Sequence, residues 1–126
     1  MLYDILQVED EPIVRESTQH NAQRIGLSYL GAACLDDFSS ILKEHKARYY
    51  IIDGNFPEET GGQVKELADS AVKIIRTADP DAKIIVYSSS MSADKIAERN
   101  KIEAYSKSVL PRLLVADLSE RISGKK

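Results

Sequence analysis

Short apolar runs and longer stretches of helical spacing alternate along this chain, and each change of period marks an element. Leu2–Val8 reads as a strand, with Leu2, Ile5, Leu6 and Val8 apolar around Asp4 and Gln7, and it stops at the acids Glu9, Asp10 and Glu11. Pro12 suits a first helical turn, where its missing N–H has no partner to lose. The helix it opens, 12–25, is polar for its length; Val14, Ala22 and Ile25 fall near one face, and Gly26 takes the C′ position. A second strand is expected over 27–35. Asp36 or Asp37 then caps a second helix with Phe38, Ile41 and Leu42 at helical spacing, and His45-Lys46 brings positive charge to its end.

The run at the centre is Tyr49, Tyr50, Ile51 and Ile52, which meets the carboxylate of Asp53 without a polar break. Turn chemistry comes at once in Gly54, Asn55, Pro57 and Gly61-Gly62. A third helix is expected from the stripe Val64, Leu67, Ala68, Ala71, Val72, Ile75 and Ala78, closed by Asp79-Pro80. Lys83–Tyr87 is a fourth strand ending in Ser88, Ser89 and Ser90, and a short helix over 93–99 comes next, with Asn100 as its left-handed cap. Ala104-Tyr105-Ser106 forms a fifth strand ended by Lys107. Pro111 opens a last helix with Leu114, Leu118 and Ile122 on one side, before a frayed Gly124-Lys125-Lys126. Strands alternating with helices five times predict an α/β fold, a doubly wound parallel sheet covered on both faces.

Composition narrows the function. The 126 residues, expected to form one domain, are 43% hydrophobic and 29% charged, which suits a folded globular chain rather than a disordered one. A net charge of -3 with interspersed signs offers no basic patch for direct nucleic-acid binding. No apolar stretch is long enough to span a bilayer, and MLYDILQVEDEP has no basic leader region, so a cytoplasmic protein is expected. Cys34, the one cysteine, sits in an apolar run and reads as a small buried hydrophobe. His20 and His45 read as surface residues.

A parallel sheet delivers every strand's last residue to one edge. Strand one brings Glu9 and Asp10, strand three Asp53, strand four Ser88 and strand five Lys107. Carboxylates crowded together repel unless a cation neutralises them. An all-oxygen donor set is what Mg²⁺ accepts, and the expected ligands are Asp10, Asp53 and the backbone carbonyl of Asn55, with Glu9 acting through water. Such a site suits phosphoryl transfer, with Lys107 neutralising phosphoryl oxygens and the Ser88 hydroxyl donating to one of them. Asp53, on the central strand beside a glycine loop, is assigned as the nucleophile that becomes an acyl phosphate.

In this ordered set (Glu9-Asp10, Asp53, Pro57, Gly61, Ser88, Lys107) the chain resembles a response-regulator receiver domain of two-component signalling along essentially its whole length. The resemblance implies a (βα)5 flavodoxin-like fold, Mg²⁺ dependence, and phosphotransfer to Asp53 from a histidine kinase or histidine phosphotransfer protein. It implies that Ser88 and Tyr105 act as the switch, and that output to a downstream effector runs through the face of the fourth helix, fifth strand and fifth helix. A homodimer is compatible with it. Departures from the family pattern are visible. Ser108 stands where proline usually follows the lysine, and Ala104 stands three before the lysine, where an aromatic is usual. Tyr105 stands two before it, so strict alternation turns Tyr105 to the other face, whereas a bulge restores it. The third helix is longer than usual, and Ser89 replaces a small apolar residue. By the same resemblance, Asn55 and Ser90 occupy the positions at which the family tunes phosphate lifetime.

Two rival readings share the fold. One is a phosphorylation-independent interaction adaptor, suggested by Ser108 and the displaced Tyr105. The other is a Mg²⁺-dependent phosphohydrolase, which needs an acid two residues past the nucleophile, where Asn55 stands. Serine hydrolysis lacks its G-x-S-x-G elbow. The expectation is therefore a signalling receiver rather than an enzyme, with no DNA-binding or catalytic output domain inside these residues.

Overall fold

The computed structural model describes residues 1–124, with the side chain of Ser90 left out. The reading of the Ser90 side chain as lifetime-tuning and that of Lys125-Lys126 as a frayed end thus fall outside what the structure describes. Seven strands and five helices succeed one another: β1 (Leu2–Val8), α1 (Pro12–Arg24), β2 (Tyr29–Ala32), α2 (Leu35–Glu44), β3 (Lys46–Ile52), β4 (Phe56–Pro57), β5 (Val64–Lys65), α3 (Ala68–Ala78), β6 (Ile84–Ser88), α4 (Ser90–Asn100), β7 (Glu103–Ser106) and α5 (Pro111–Ile122). Five strands pair in parallel in the order β2-β1-β3-β6-β7, which is the expected doubly wound sheet. The fifth strand expected from the sequence is β7.

Alternation along the strands sorts the core into two layers. Leu6, Val8, Tyr50, Ile52, Ile84 and Val86 face the cluster that holds Phe38, Val72, Ile75 and Ile96 from α2, α3 and α4. Ile5, Tyr49, Ile51, Ile85 and Tyr87 face Ala22, Leu114, Val115 and Leu118 from α1 and α5. The central run is therefore apolar at every position because both of its faces are covered. Tyr50 reaches the buried layer only because its hydroxyl is matched: it accepts from Ala47 N–H at 3.1 Å and donates to Asp79 at 3.0 Å.

Several boundaries move for identifiable reasons. Cys34, not Asp36 or Asp37, occupies the N-cap of α2. The two aspartates fall in its first turn, where their charge complements the helix dipole. His45 lies beyond the end of α2 and half-buried, edge-on to Tyr3 with ring centroids 5.3 Å apart, rather than at the surface. Asn100 is the last residue of α4, and Lys101 at φ 56° takes the left-handed position. The largest change is the third helix. Val64 and Leu67 precede it, and Val64–Lys65 pair antiparallel with Phe56–Pro57 in a two-stranded ribbon. Gly61 at φ 76° and the bond from Gly62 N–H to the Glu59 carbonyl (2.9 Å) turn the chain back to make it.

This division has a stability consequence. Ile75 is 0% exposed in the α3 layer, so Ile75→Ala should cost about 2–5 kcal/mol. Val64→Ala, on the ribbon, should stay within about 0.5 kcal/mol. Denaturant titration of the two variants checks the contrast, which would largely vanish if Val64 belonged to the helix stripe.

Candidate functional site

The strand order places β1 and β3 side by side with the chain leaving to opposite sides of them, and ligands bind at such a switch point. Val8 pairs with Ile52, so the next residues, Glu9 and Asp53, emerge together at the carboxyl edge. Asp53 N–H donates to the Val8 carbonyl at 3.1 Å and Glu9 N–H to the Ala32 carbonyl at 2.9 Å, which carries sheet order into the acids themselves. On the other side Ser88 pairs with Ser106, and Lys107 N–H donates to the Ser88 carbonyl at 2.7 Å. The main chain alone thus brings four strand ends to one place.

The side chains complete a tight charge cluster. Ligand oxygens of Glu9, Asp10 and Asp53 all lie within 4.8 Å of one another. The Lys107 ammonium is 2.9 Å from Glu9 Oε1, 3.4 Å from Asp53 Oδ1 and 3.5 Å from Glu11 Oε1. Lys107 reaches them although Ser108 follows it, and no peptide bond among the described residues is cis. Glu9 is 0% exposed and Asp53 only 6%. Gly54 N–H donates to Asp53 Oδ1 at 2.7 Å, and Glu11 N–H donates to Glu9 Oε2 at 3.2 Å. Any residue but proline could donate that N–H, but a Cβ at position 54 would stand 2.8 Å from the Ser88 hydroxyl and push it away. An open pocket of about 310 Å³ is lined by Asp10, Glu11, Asp53, Asn55, Val64, Ser88, Ser89 and Lys107.

The electrostatics are set by burial. Desolvation first, then the neighbouring Asp53 by hydrogen bond and by charge, push the Glu9 carboxyl up from 4.5 to about 8, against the opposing pull of Lys107. Burial and the Asp53 charge also raise Asp10. Lys107 is held above the ordinary lysine range by Glu9, Asp53 and Glu11, which outweigh its own desolvation. Glu9 Oε1 faces the ammonium as an ion pair without hydrogen-bond alignment and has no hydrogen-bond partner among the described residues. Several carboxylates share one ammonium, so the cluster is short of positive charge. A hard cation with oxygen ligands fits that deficit, and Glu9, Asp10 and Asp53 are the residues able to hold it.

Of the expected site residues, Glu9, Asp10, Asp53, Asn55, Ser88 and Lys107 are brought together. Tyr105 is not. It pairs in register with Tyr87, without a bulge, and lies against the α1–α5 layer. Its hydroxyl donates to the Asp117 carboxylate and accepts from Arg121 at 3.0 Å. Ala104 takes the opposite face, against the layer that includes α4. Two participants are not legible in the sequence as site residues. Glu11 pairs with Lys107, and Arg15 donates to the Glu9 carbonyl at 2.6 Å. Position in an acidic run hinted at Glu11. Arg15 carried no signal, because a side chain reaching back across the β1–α1 loop leaves no periodicity.

The pH effect has a definite sign. Glu9 holds its proton more tightly in the folded state, so its burial costs nothing below about 4.5, its ordinary value. The cost grows as pH rises and is complete above about 8, where both states are ionised. Without divalent ions, the melting temperature should therefore fall across that window, and Glu9→Gln should flatten the fall. Added Mg²⁺ should recover stability most at the alkaline end, because the ligands must be ionised to bind. Thermal melts across pH, with chelator and with Mg²⁺, test both statements.

No family model matches the sequence, and no curated protein matches it either. Solved structures do. The CheY-like response regulator receiver domain protein from Methanospirillum hungatei JF-1 matches with a TM-score of 0.77 at 20% identity, over 98% of this chain and 96% of that one. The chemotaxis response regulator CheY4 of Vibrio cholerae matches with a TM-score of 0.75 at 20% identity, over 95% and 98%. The BeF3-activated DrrB receiver domain matches with a TM-score of 0.75 at 15% identity, over 98% and 99%. The chain thus has the flavodoxin-like fold of CheY-like response-regulator receiver domains.

Proposed function

We propose that residues 1–126 form one receiver domain of a two-component phosphorelay, with Asp53 as phosphoacceptor. The observation that carries the reading is the meeting of Glu9, Asp10, Asp53 and Lys107 at the sheet edge, beside Ser88, from strand ends scattered across the sequence. A carboxylate oxygen of Asp53 bonds to phosphorus as the bond from phosphorus to the donor's imidazole nitrogen breaks. The bonding pair returns to that nitrogen; the donor ring, protonated at its other nitrogen, leaves as neutral imidazole, and no proton need be taken from Asp53. Lys107 and the Ser88 hydroxyl neutralise and hydrogen-bond the phosphoryl oxygens as their charge shifts. Asp10, Asp53 and the Asn55 carbonyl would hold Mg²⁺, with Glu9 acting through water. The ion supplies positive charge where the acids and the phosphoryl group meet. The donor is a phosphohistidine on a histidine kinase or phosphotransfer protein, and the site of action is the cytoplasm.

The phosphorylated state adds negative charge and acceptor oxygens beside Ser88 and Lys107, and output runs through α4, β7 and α5 toward an effector protein or domain, or a second copy. One observation favours a second reading, the phosphorylation-independent adaptor: Tyr105 is tied to Asp117 and Arg121 and stands on the far face from Ala104.

Incubation with acetyl phosphate and Mg²⁺ should add one phosphate by intact mass, and Asp53→Asn should abolish it; labelling that survives the substitution sinks the assignment. Beryllofluoride with Mg²⁺ separates the two readings. Tight binding with shifted α4 and α5 amide resonances supports the switch, and the absence of any response supports the adaptor.

A further inference from the structure

Resting on that reading, we propose that Val64, carried by the β4–β5 ribbon, is an apolar gate that sets how fast water reaches a phosphoryl group on Asp53. The pocket over Asp53 is walled by Asp10, Glu11, Asn55, Ser88, Ser89 and Lys107, and Val64 is the one apolar side chain among the described residues that line it. It is 50% exposed, so it contributes little burial to the fold where it stands.

The ribbon holds this side chain in place. Phe56 and Pro57 are buried, and Val64 pairs with Pro57. Lys65 pairs with Glu58 at 3.3 Å, and Asp36 N–H at the start of α2 donates to the Glu58 carbonyl at 2.8 Å. Beyond the ribbon, Glu66 pairs with Arg99 of α4 at 3.3 Å. The ribbon that carries Val64 is thus held from both sides, with Val64 in the lining of the polar pocket.

Loss of the phosphate is a hydrolysis. The water oxygen bonds to phosphorus, the bond from phosphorus to the Asp53 oxygen breaks, and its electron pair restores the carboxylate. The proton given up by the water passes to solvent. Every other wall of the pocket offers water a hydrogen-bonding partner, whereas the valine methyls offer none and occupy part of its approach. The size and polarity of residue 64 therefore set the rate of attack, while the groups that bind the phosphate are untouched.

The test uses the whole chain, phosphorylated with acetyl phosphate and Mg²⁺ and then freed of donor; phosphate loss is followed by intact mass, and melting temperature is measured alongside. Val64→Ala and Val64→Thr should each speed the loss roughly three- to tenfold, a barrier change of at most about one tenfold step. Val64→Leu should slow it, with melting temperatures near that of the unsubstituted protein. A decay rate that follows the size and polarity of residue 64 at constant stability is something a purely structural role would not produce. Normal phosphate uptake with the same decay in all variants overturns the gate and leaves the receiver reading standing. No uptake by the unsubstituted chain overturns both.

Discussion

Three carboxylates, Glu9, Asp10 and Asp53, are forced together at one rim of a buried sheet, with the Lys107 ammonium as the cation in contact with two of them. Taking such groups out of water is costly, and a single ammonium does not neutralise the set. The cost is imposed by topology. In a parallel sheet the strand ends share an edge, and because Val8 and Ile52 are paired at the β1–β3 switch point, the acids that come directly after them must emerge side by side. Two apolar layers, one on each face, offset it. The site is therefore unstable by itself and stable only as part of this fold, which is also what leaves its carboxylates able to hold a cation.

The surroundings of that cluster show how a local charge change can be contained or passed on. Lys107 comes directly after β7, and its N–H donates to the Ser88 carbonyl, so a backbone hydrogen bond ties the ammonium residue to the hydroxyl residue. Tyr105, two residues earlier, is anchored instead to α5 through Asp117 and Arg121. On the other flank, Arg99 joins α4 to Glu66 and Asp69, and Arg76 of α3 donates to the Asn100 carbonyl at 2.8 Å. These are exposed contacts, each worth little. Together they make the ribbon and the two helices one connected surface beside the pocket, reached without the tyrosine.

Much of this was legible from residue order. The alternation of apolar runs and helical stripes is local information, written in side chains that must face a core, and it located five sheet strands and five helices. The acids, serine and lysine that end four of those strands were legible too, because a parallel sheet converts the position "after the strand" into a shared location. Where local pattern misled, a competing contact won. Val64 and Leu67 continue the periodic stripe of α3, yet the Gly61-Gly62 turn folds the chain back, so Val64 pairs in the ribbon and helix formation waits until Ala68. Asn100 has the composition of a left-handed cap, but its amide is spent on Asp69 at 2.7 Å and the Ile96 carbonyl at 3.0 Å, and Lys101 turns instead.

What the sequence determined by itself was the set of elements, their order, and which acids, hydroxyl and amine would sit at strand ends, since period and turn chemistry are properties of neighbours along the chain. Only the tertiary structure decided the distances among Glu9, Asp10, Asp53 and Lys107, the face Tyr105 takes, and the presence of a valine in the lining of the pocket at Asp53. Those depend on register between strands far apart in sequence and on contacts such as Arg15 with the Glu9 carbonyl, and a linear pattern carries no record of either.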